Sequence, residues 1–293
     1  MKNFEYLEPT SIAEACALLK QNGDEAKIFA GGAHLTILMK QGLYQPRALI
    51  NIKKIAELKG IRCSDAELSI GALVTHRELE TSALVRDQLP VLCEAEREVA
   101  NIRVRHMGTV GGNLASGEPL TDLSQIFIAL DAKVKIAGPN GERTIPVQEL
   151  FLDFYTTSLA DDEIITEVMI PLLPKKSGIE YLRFSSSSVV DKPAAGVAVR
   201  LTLEAGNEMI QLARVVLGCV GATPVRVRGA EEILIGKRLS LDSAIEAGKA
   251  ASQECDPITD LRGSAEYKRA IVGTLVKRAA VKAYERAVRN EKF

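Results

Sequence analysis

Apolar positions recur along this chain with two spacings, one helical and one alternating, and the switches between them mark its elements. After Pro9-Thr10-Ser11, the residues Ile12, Ala13, Ala15, Cys16, Leu18 and Leu19 fall at helical spacing. Ser11 is placed to cap that helix, Glu14 stands three residues on, and Asn22-Gly23 ends it. Lys27-Ile28-Phe29-Ala30 predicts a short strand that runs directly into Gly31-Gly32. Leu35, Ile37, Leu38 and Met39 predict a short helix stopping at Gly42, and Ala48 to Ile52 a buried strand. The opening stretch is thus helix–strand–helix–strand, an α/β unit of the βαβ kind.

Two strands are predicted at Leu58–Ile61 and Leu68–Gly71, joined by a polar Ser64-Asp65 turn, and Thr75 begins a helix. Val91, Leu92, Ala95 and Val99 give a second helix from Pro90 to Ala100. A glycine-punctuated loop, Gly108 to Gly117, leads to an apolar helix from Asp122 to Leu130. Lys133–Ala137 and Arg143–Pro146 flank the turn Gly138-Pro139-Asn140-Gly141. The Pro/Lys/Gly run from Pro171 to Gly178 is the candidate linker. Beyond it, residues 181–184, 196–204 and 211–218 alternate as strands of a small antiparallel sheet, and Ala230 to Arg289 is mostly helical in pattern. The expected class is α+β.

Composition narrows the function. The net charge of −1 gives no bulk attraction to nucleic acid or to an anionic membrane. No apolar run reaches the ~20 residues of a membrane span. Acidic residues stand where the apolar core of a signal peptide would be, so a cytoplasmic location is expected. Cys16, Cys63, Cys93, Cys219 and Cys255 are far apart, with no CxxC, so free thiols are expected rather than a zinc or iron–sulfur site. His34, His76 and His106 lie apart and predict no metal triad. Tryptophan is absent, so a bound aromatic cofactor could not rely on a Trp stack.

Two glycine segments carry the candidate chemistry. In Lys27-Ile28-Phe29-Ala30-Gly31-Gly32-Ala33-His34 a strand ends in two glycines and a helix follows at once. Glycine removes the Cβ that would hold a phosphate away, and a helix N-terminus offers free N–H groups. The segment is neither GxGxxG nor a Walker sequence, and taken alone it reads better as a plain tight turn. In Gly108-Thr109-Val110-Gly111-Gly112-Asn113, three glycines are joined by Thr109 and Asn113, whose side chains can hydrogen-bond. Backbone N–H groups from both segments could grip a pyrophosphate from two sides. Asp122 serves either as a helix cap or as an acceptor for a cofactor hydroxyl.

These residues resemble the FAD-binding medium subunits of the molybdenum hydroxylases, the xanthine dehydrogenase and aerobic carbon monoxide dehydrogenase family. AGGAHL at Ala30–Leu35, with MKQG at Met39–Gly42, resembles the family's first pyrophosphate loop. IRVRHMGTVGGNLASGEPLTDL, Ile102–Leu123, resembles the second, whose core is TVGGN or TIGGN. Phe4–Ser11, the DEIITEVMIP segment ending at Pro171, and GCVGATPVR at Gly218–Arg226 match as well. The resemblance implies a two-subdomain, PCMH-type FAD-binding domain over 1–174 (subdomains about 1–56 and 57–174), then a C-terminal flavoprotein domain over 178–285. It implies FAD contacts from Lys27, Ile28, Phe29, Ala30, Gly31, Gly32, Ala33 and His34, and from Thr109, Val110, Gly111, Gly112 and Asn113. It adds Val99 on the helix before the second loop, Asp122, Ile165 near the isoalloxazine, and Arg183, with Asp191 in the same segment. Lys192-Pro193 stands where many relatives carry an aromatic or apolar pair.

The resemblance further implies an oxidoreductase subunit with no catalytic acid, base or nucleophile of its own. Electrons would come from [2Fe–2S] clusters in a small partner subunit, fed by a molybdenum-pterin centre in a large one, and pass to NAD or another acceptor. The expected assembly is a dimer of heterotrimers. Without it, Val99 and Ile165 are core residues by default, Arg183 is an ion-paired strand residue, Asp161-Asp162-Glu163 is a solvated turn, and Cys219 is buried in an apolar strand. A stand-alone FAD oxidoreductase of the vanillyl-alcohol-oxidase type and a non-enzymatic nucleotide-binding protein are the alternatives.

Overall fold

A computed structural model describes residues 3–188 and 190–289. The first region holds β1 (Glu5–Leu7), α1 (Ile12–Asn22), β2 (Ala26–Phe29), α2 (Leu35–Lys40) and β3 (Ala48–Asn51), with a parallel sheet ordered β1-β3-β2. Ser11 caps α1 by accepting from the Glu14 N–H, while the Glu14 carboxylate accepts from the Thr10 N–H at 2.8 Å. α1 buries Ala15, Cys16 and Leu19 against Ala26, Ile50 and Ile52. β1 goes beyond the expected unit. Its three residues are mostly exposed, and only pairing with the distant β3 makes them a strand.

The second region contains β4 (Ile61–Cys63), β5 (Glu67–Gly71), α3 (His76–Thr81), α4 (Ala83–Gln88), α5 (Pro90–Glu96), α6 (Ile102–Met107), α7 (Val110–Ala115), α8 (Leu123–Ala129), β6 (Lys133–Gly138), β7 (Gly141–Pro146), the short pair β8 (Phe151–Asp153) and β9 (Thr156–Thr157), and β10 (Ile164–Pro171). Its main sheet runs β4-β5-β10-β6-β7, all neighbours antiparallel. Leu68, Ile70, Val134, Ile136, Val168 and Ile170 pack beneath Leu79, Leu92, Leu123 and Phe127 of the helices. β10 joins the two regions: Ile164 enters the first core and Ile165 the second, beside an irregularity in register between Ile165 and Glu167.

The third region comprises β11 (Ser177–Phe184), β12 (Ala195–Leu203), β13 (Ile210–Gly218), β14 (Val225–Arg226), α9 (Arg228–Leu234), α10 (Leu241–Glu254) and α11 (Ala265–Arg289), with an antiparallel sheet in the order β11-β12-β13-β14. Val197, Val199, Leu201, Val215 and Leu217 face α11 through Val272, Val276, Ala279 and Ala283, whereas Ala198 and Val216 on the opposite face join the second core. β12 is buried on both faces, which explains its nearly continuous apolar run. Asp131, just past α8, accepts from both Arg200 and Arg214 at 2.8 Å and fastens the second region to the third.

Several expected boundaries move. Leu58 closes a 3-10 turn rather than starting a strand, and the helix from Pro90 stops at Glu96. The segment Gly108–Gly117 is mostly wound as α7 rather than being a loop. Cys219 lies just past β13 with φ 67°, not within the strand.

Candidate functional site

β2 ends at Phe29 and the chain turns through Ala30, Gly31 and Gly32 into α2. Lys27, Ile28 and Phe29 belong to β2, where Lys53 lies over the Phe29 ring and Ile28 and Ala30 pack on the first core. Gly32 has φ 73°, and a Cβ there would lie 2.5 Å from the Phe29 ring, so the turn requires glycine. The carbonyls of Gly32 and His34 accept from Thr36, Ile37 and Leu38. The N–H groups of Gly32, Ala33, His34 and Leu35 meet no acceptor among the described residues.

The second glycine segment is built differently. Asn101 caps α6, Gly108 follows it, and Thr109 caps α7 by accepting from the Gly112 N–H at 3.1 Å. Val110 N–H donates to Val74 O, Gly111 N–H to Ala72 O, and Asn113 N–H to Thr109 O. All four amides from Val110 to Asn113 are therefore engaged within the protein. Winding and docking α7 thus uses these four donors, while the Thr109 N–H meets no acceptor among the described residues. Gly111 is needed for that docking: a Cβ there would lie 2.6 Å from the Ala72 Cβ. At Gly112 a Cβ would meet only Thr109 Oγ1, and the residue is exposed. Beside it, Asn113 Oδ1 is buried without a hydrogen-bond partner among the described residues.

The two segments touch. A Cβ on Gly31 would lie 1.8 Å from Met107 O and 2.9 Å from Gly108 Cα. His34, half-buried, places Nδ1 3.9 Å from a Glu118 oxygen. Glu118 is buried and also receives the Tyr155 hydroxyl at 3.2 Å and Lys192 Nζ at 2.5 Å. It thus ties the first segment, the β8–β9 turn and the third region together. Burial pushes the His34 imidazole below its ordinary value, with Glu118 opposing and Lys192 assisting.

Asp122 sits at the N-terminus of α8 but makes no capping bond. Its carboxylate accepts instead from the Tyr181 hydroxyl at 2.6 Å and Arg183 Nη1 at 3.2 Å. Burial raises it to about 6, against the opposing effects of Arg183 and Tyr181. Tyr181 and Arg183 are two apart on β11 and share a face. Arg183 also donates to Glu98 O at 2.7 Å, to Ser185 Oγ and to the backbone carbonyl of Asp191. Arg183 is thus a buried clamp, and Asp191 enters through its backbone. Val99, next to Glu98, is buried with its carbonyl bonded to Arg105. Ile165 is buried in the second core, where packing alone accounts for an isoleucine.

Sequence reasoning passed over Glu118, Tyr155 and Tyr181 as site residues, and noted Lys192 only as a departure from the family pattern. Tyr181 had a signal, its i, i+2 relation to Arg183; Glu118 had none, since its partners lie 37 and 74 residues away.

These residues suit an anionic, hydroxyl-bearing dinucleotide. Free amides and a helix N-terminus complement phosphate, Gly112 leaves an open face, and the orphaned Asn113 Oδ1 needs a donor. Residues 2–173 match the family described as FAD binding domain in molybdopterin dehydrogenase, and 180–283 match the CO dehydrogenase flavoprotein C-terminal domain. The chain is 38% identical over 283 residues to the carbon monoxide dehydrogenase medium chain of Hydrogenophaga pseudoflava, covering 97% of this chain and 98% of that one. It is 37% identical over 285 residues to subunit alpha of the 6-hydroxypseudooxynicotine dehydrogenase complex of Paenarthrobacter nicotinovorans, covering 97% and 96%. A solved structure of the Hydrogenophaga carbon monoxide dehydrogenase superposes with a TM-score of 0.94 at 38% identity, covering 97% of this chain and 98% of that one.

Proposed function

The chain belongs to the FAD-binding medium subunits of the molybdenum hydroxylases, and from that premise we propose that it holds FAD along its two glycine segments and relays electrons from a partner's [2Fe–2S] clusters to NAD or another acceptor. The observation that carries the reading is a pair of touching segments, joined at Gly31 and Gly108, of which one leaves the amides of Gly32 to Leu35 without acceptors among the described residues and the other leaves Asn113 Oδ1 unpartnered. FAD, when bound, supplies the capacity to exchange electrons singly or in pairs. The chain's own residues do the rest. Gly32, Ala33, His34 and Leu35 would bind phosphate oxygens through their N–H groups. Thr109, Gly112 and Asn113 would form the opposing wall, and Asn113 Oδ1 would accept from a cofactor hydroxyl or amine. Arg183, held by Asp122 and by the Glu98 and Asp191 carbonyls, would place a fixed positive charge beside the flavin. Val99 and Ile165 would contribute apolar walls. Lys27 to Ala30 and Gly31 would carry and shape the first segment, and Val110 and Gly111 would dock the second.

The proposed domains are 1–174, divided near residue 56, and 178–285, supported by the three larger sheets, one to each region. The two relatives at 38% and 37% identity are named for different substrates, carbon monoxide and 6-hydroxypseudooxynicotine. That supports placing substrate choice in a large molybdopterin subunit rather than in this chain. A small iron–sulfur subunit completes the proposed heterotrimer, two of which would pair, in the cytoplasm. No helix among the described residues is long and apolar enough to cross a membrane. Anaerobic addition of NADH to the FAD-loaded chain tests the acceptor. Bleaching of the flavin bands is expected for an NAD-linked subunit, and unchanged bands would exclude NAD. Light scattering of the co-expressed complex tests the assembly.

A further inference from the structure

Beside the junction of the two glycine segments lies a buried charged pair without a role in the site described above. His76 opens α3 and is 3% exposed; Glu96 closes α5 and is fully buried. His76 Nδ1 lies 3.0 Å from both Glu96 carboxylate oxygens, so a proton is held between the imidazole and the carboxyl. The His76 backbone N–H donates to Gly108 O at 3.1 Å. The ring lies against Gly108, where a Cβ would stand 2.9 Å from Cδ2 and 3.2 Å from Nε2. Nε2 has no hydrogen-bond partner among the described residues. Nε2 is not sealed from solvent, so it is open to a partner from outside the protein. Gly108 in turn touches Gly31, so Glu96, His76, Gly108 and Gly31 form a column running from the core to the place where the segments meet.

We infer that His76 is a further cofactor-binding residue, donating from Nε2 to an acceptor oxygen of the dinucleotide at this junction while Glu96 fixes the ring. The inference rests on the FAD reading above. It accounts for two features that reading leaves open. The stretches Ala30–Leu35 and Gly108–Asn113 contain no Lys or Arg, and His34 is held towards its neutral form by burial.

The groups facing His76 are Glu96 on α5, Asp122 before α8 and Arg105 on α6; Glu80 on α3 and Arg105 face Glu96. Burial works against the imidazolium and so does Arg105, but Glu96 and Asp122 outweigh them and raise the His76 pKa above its ordinary value. The charged donor is present below that pKa and lost above it. FAD affinity should therefore fall as pH rises through it.

The test is FAD titration of the deflavinated full chain between pH 6 and 9, with folding checked by circular dichroism. Wild type should weaken with rising pH. His76→Gln should bind about tenfold to hundredfold more weakly at pH 6, with that pH dependence gone. Glu96→Gln, which keeps the shape, should move the wild-type midpoint to lower pH. His76→Gln binding with the wild-type constant and profile would overturn the inference. Should His76→Gln not fold, an unmoved midpoint in Glu96→Gln would overturn it. Wild type binding no FAD at any pH would instead overturn the functional reading on which the inference stands.

Discussion

In the first glycine segment a strand stops and four amides are left without acceptors among the described residues; in the second, the four amides from Val110 to Asn113 all have one. Both segments show a glycine pair after a short apolar or basic run, yet the pairs serve different ends. Gly31 removes a Cβ so that one segment can touch the other, and Gly32 supplies a positive φ. Gly111 removes a Cβ so that α7 can dock on Ala72, and Gly112 leaves an open face. A helix N-terminus is an anion site only while its donors are unspent. Glycine content by itself does not reveal whether they are.

The largest effect should come from closing the space between the segments. Gly31→Ala puts a methyl into backbone at Met107, which cannot withdraw like a flexible side chain. We expect a loss of about 3 kcal/mol in unfolding free energy together with loss of FAD binding, read by denaturant unfolding and flavin content. Gly112→Ala sharpens the contrast: its Cβ meets only the capping Thr109 Oγ1, at 2.9 Å, so it should cost no more than that cap, about 1 kcal/mol, while FAD affinity falls. Equal destabilisation by the two changes would break the comparison.

Next in size is a pH effect at Asp122, downstream of the second segment. Its folded value of about 6 exceeds the ordinary 3.8 because of burial. Its protonated form therefore adds stability that is fully present below about pH 3.8 and is lost as pH rises through about 6, an amount of about 3 kcal/mol. Asp122→Asn keeps an acceptor for Tyr181 and Arg183 but cannot ionise. Unfolding free energy measured from pH 4 to 7 should fall less steeply in the variant than in wild type, and parallel curves would refute this account of Asp122.

Asn113→Ala removes an oxygen that has no partner among the described residues. Stability should hardly change, while FAD affinity should drop about tenfold by titration. A stability loss without an affinity loss would make Asn113 structural. The smallest effect belongs to Thr75, whose hydroxyl accepts from the Glu78 N–H in a capping box on α3 and whose backbone pairs with Thr109. Thr75→Ala should cost about 1 kcal/mol of stability by thermal unfolding.

Much of this was readable in the chain because it is local. The cap at Ser11, β2 running into Gly31-Gly32, the hairpin about Gly138–Gly141 and the alternating strands of the third region need only near neighbours. What escaped depends on distance. β1 exists through pairing of Glu5 with Ala48. α7 is a glycine-containing helix against its propensity, held by Val110 and Gly111 bonding to Val74 and Ala72. Asp122 looks like a cap until Tyr181 and Arg183 arrive from β11. His76 and Glu96 look like ordinary surface residues of two helices until the fold buries them face to face.

The most direct measurement is the visible spectrum of the purified chain, with any released cofactor identified after acid precipitation. The account predicts flavin absorption and non-covalently released FAD at about one per chain. A folded chain that stays colourless, and takes up no added FAD, would contradict it and leave both glycine segments with packing roles alone.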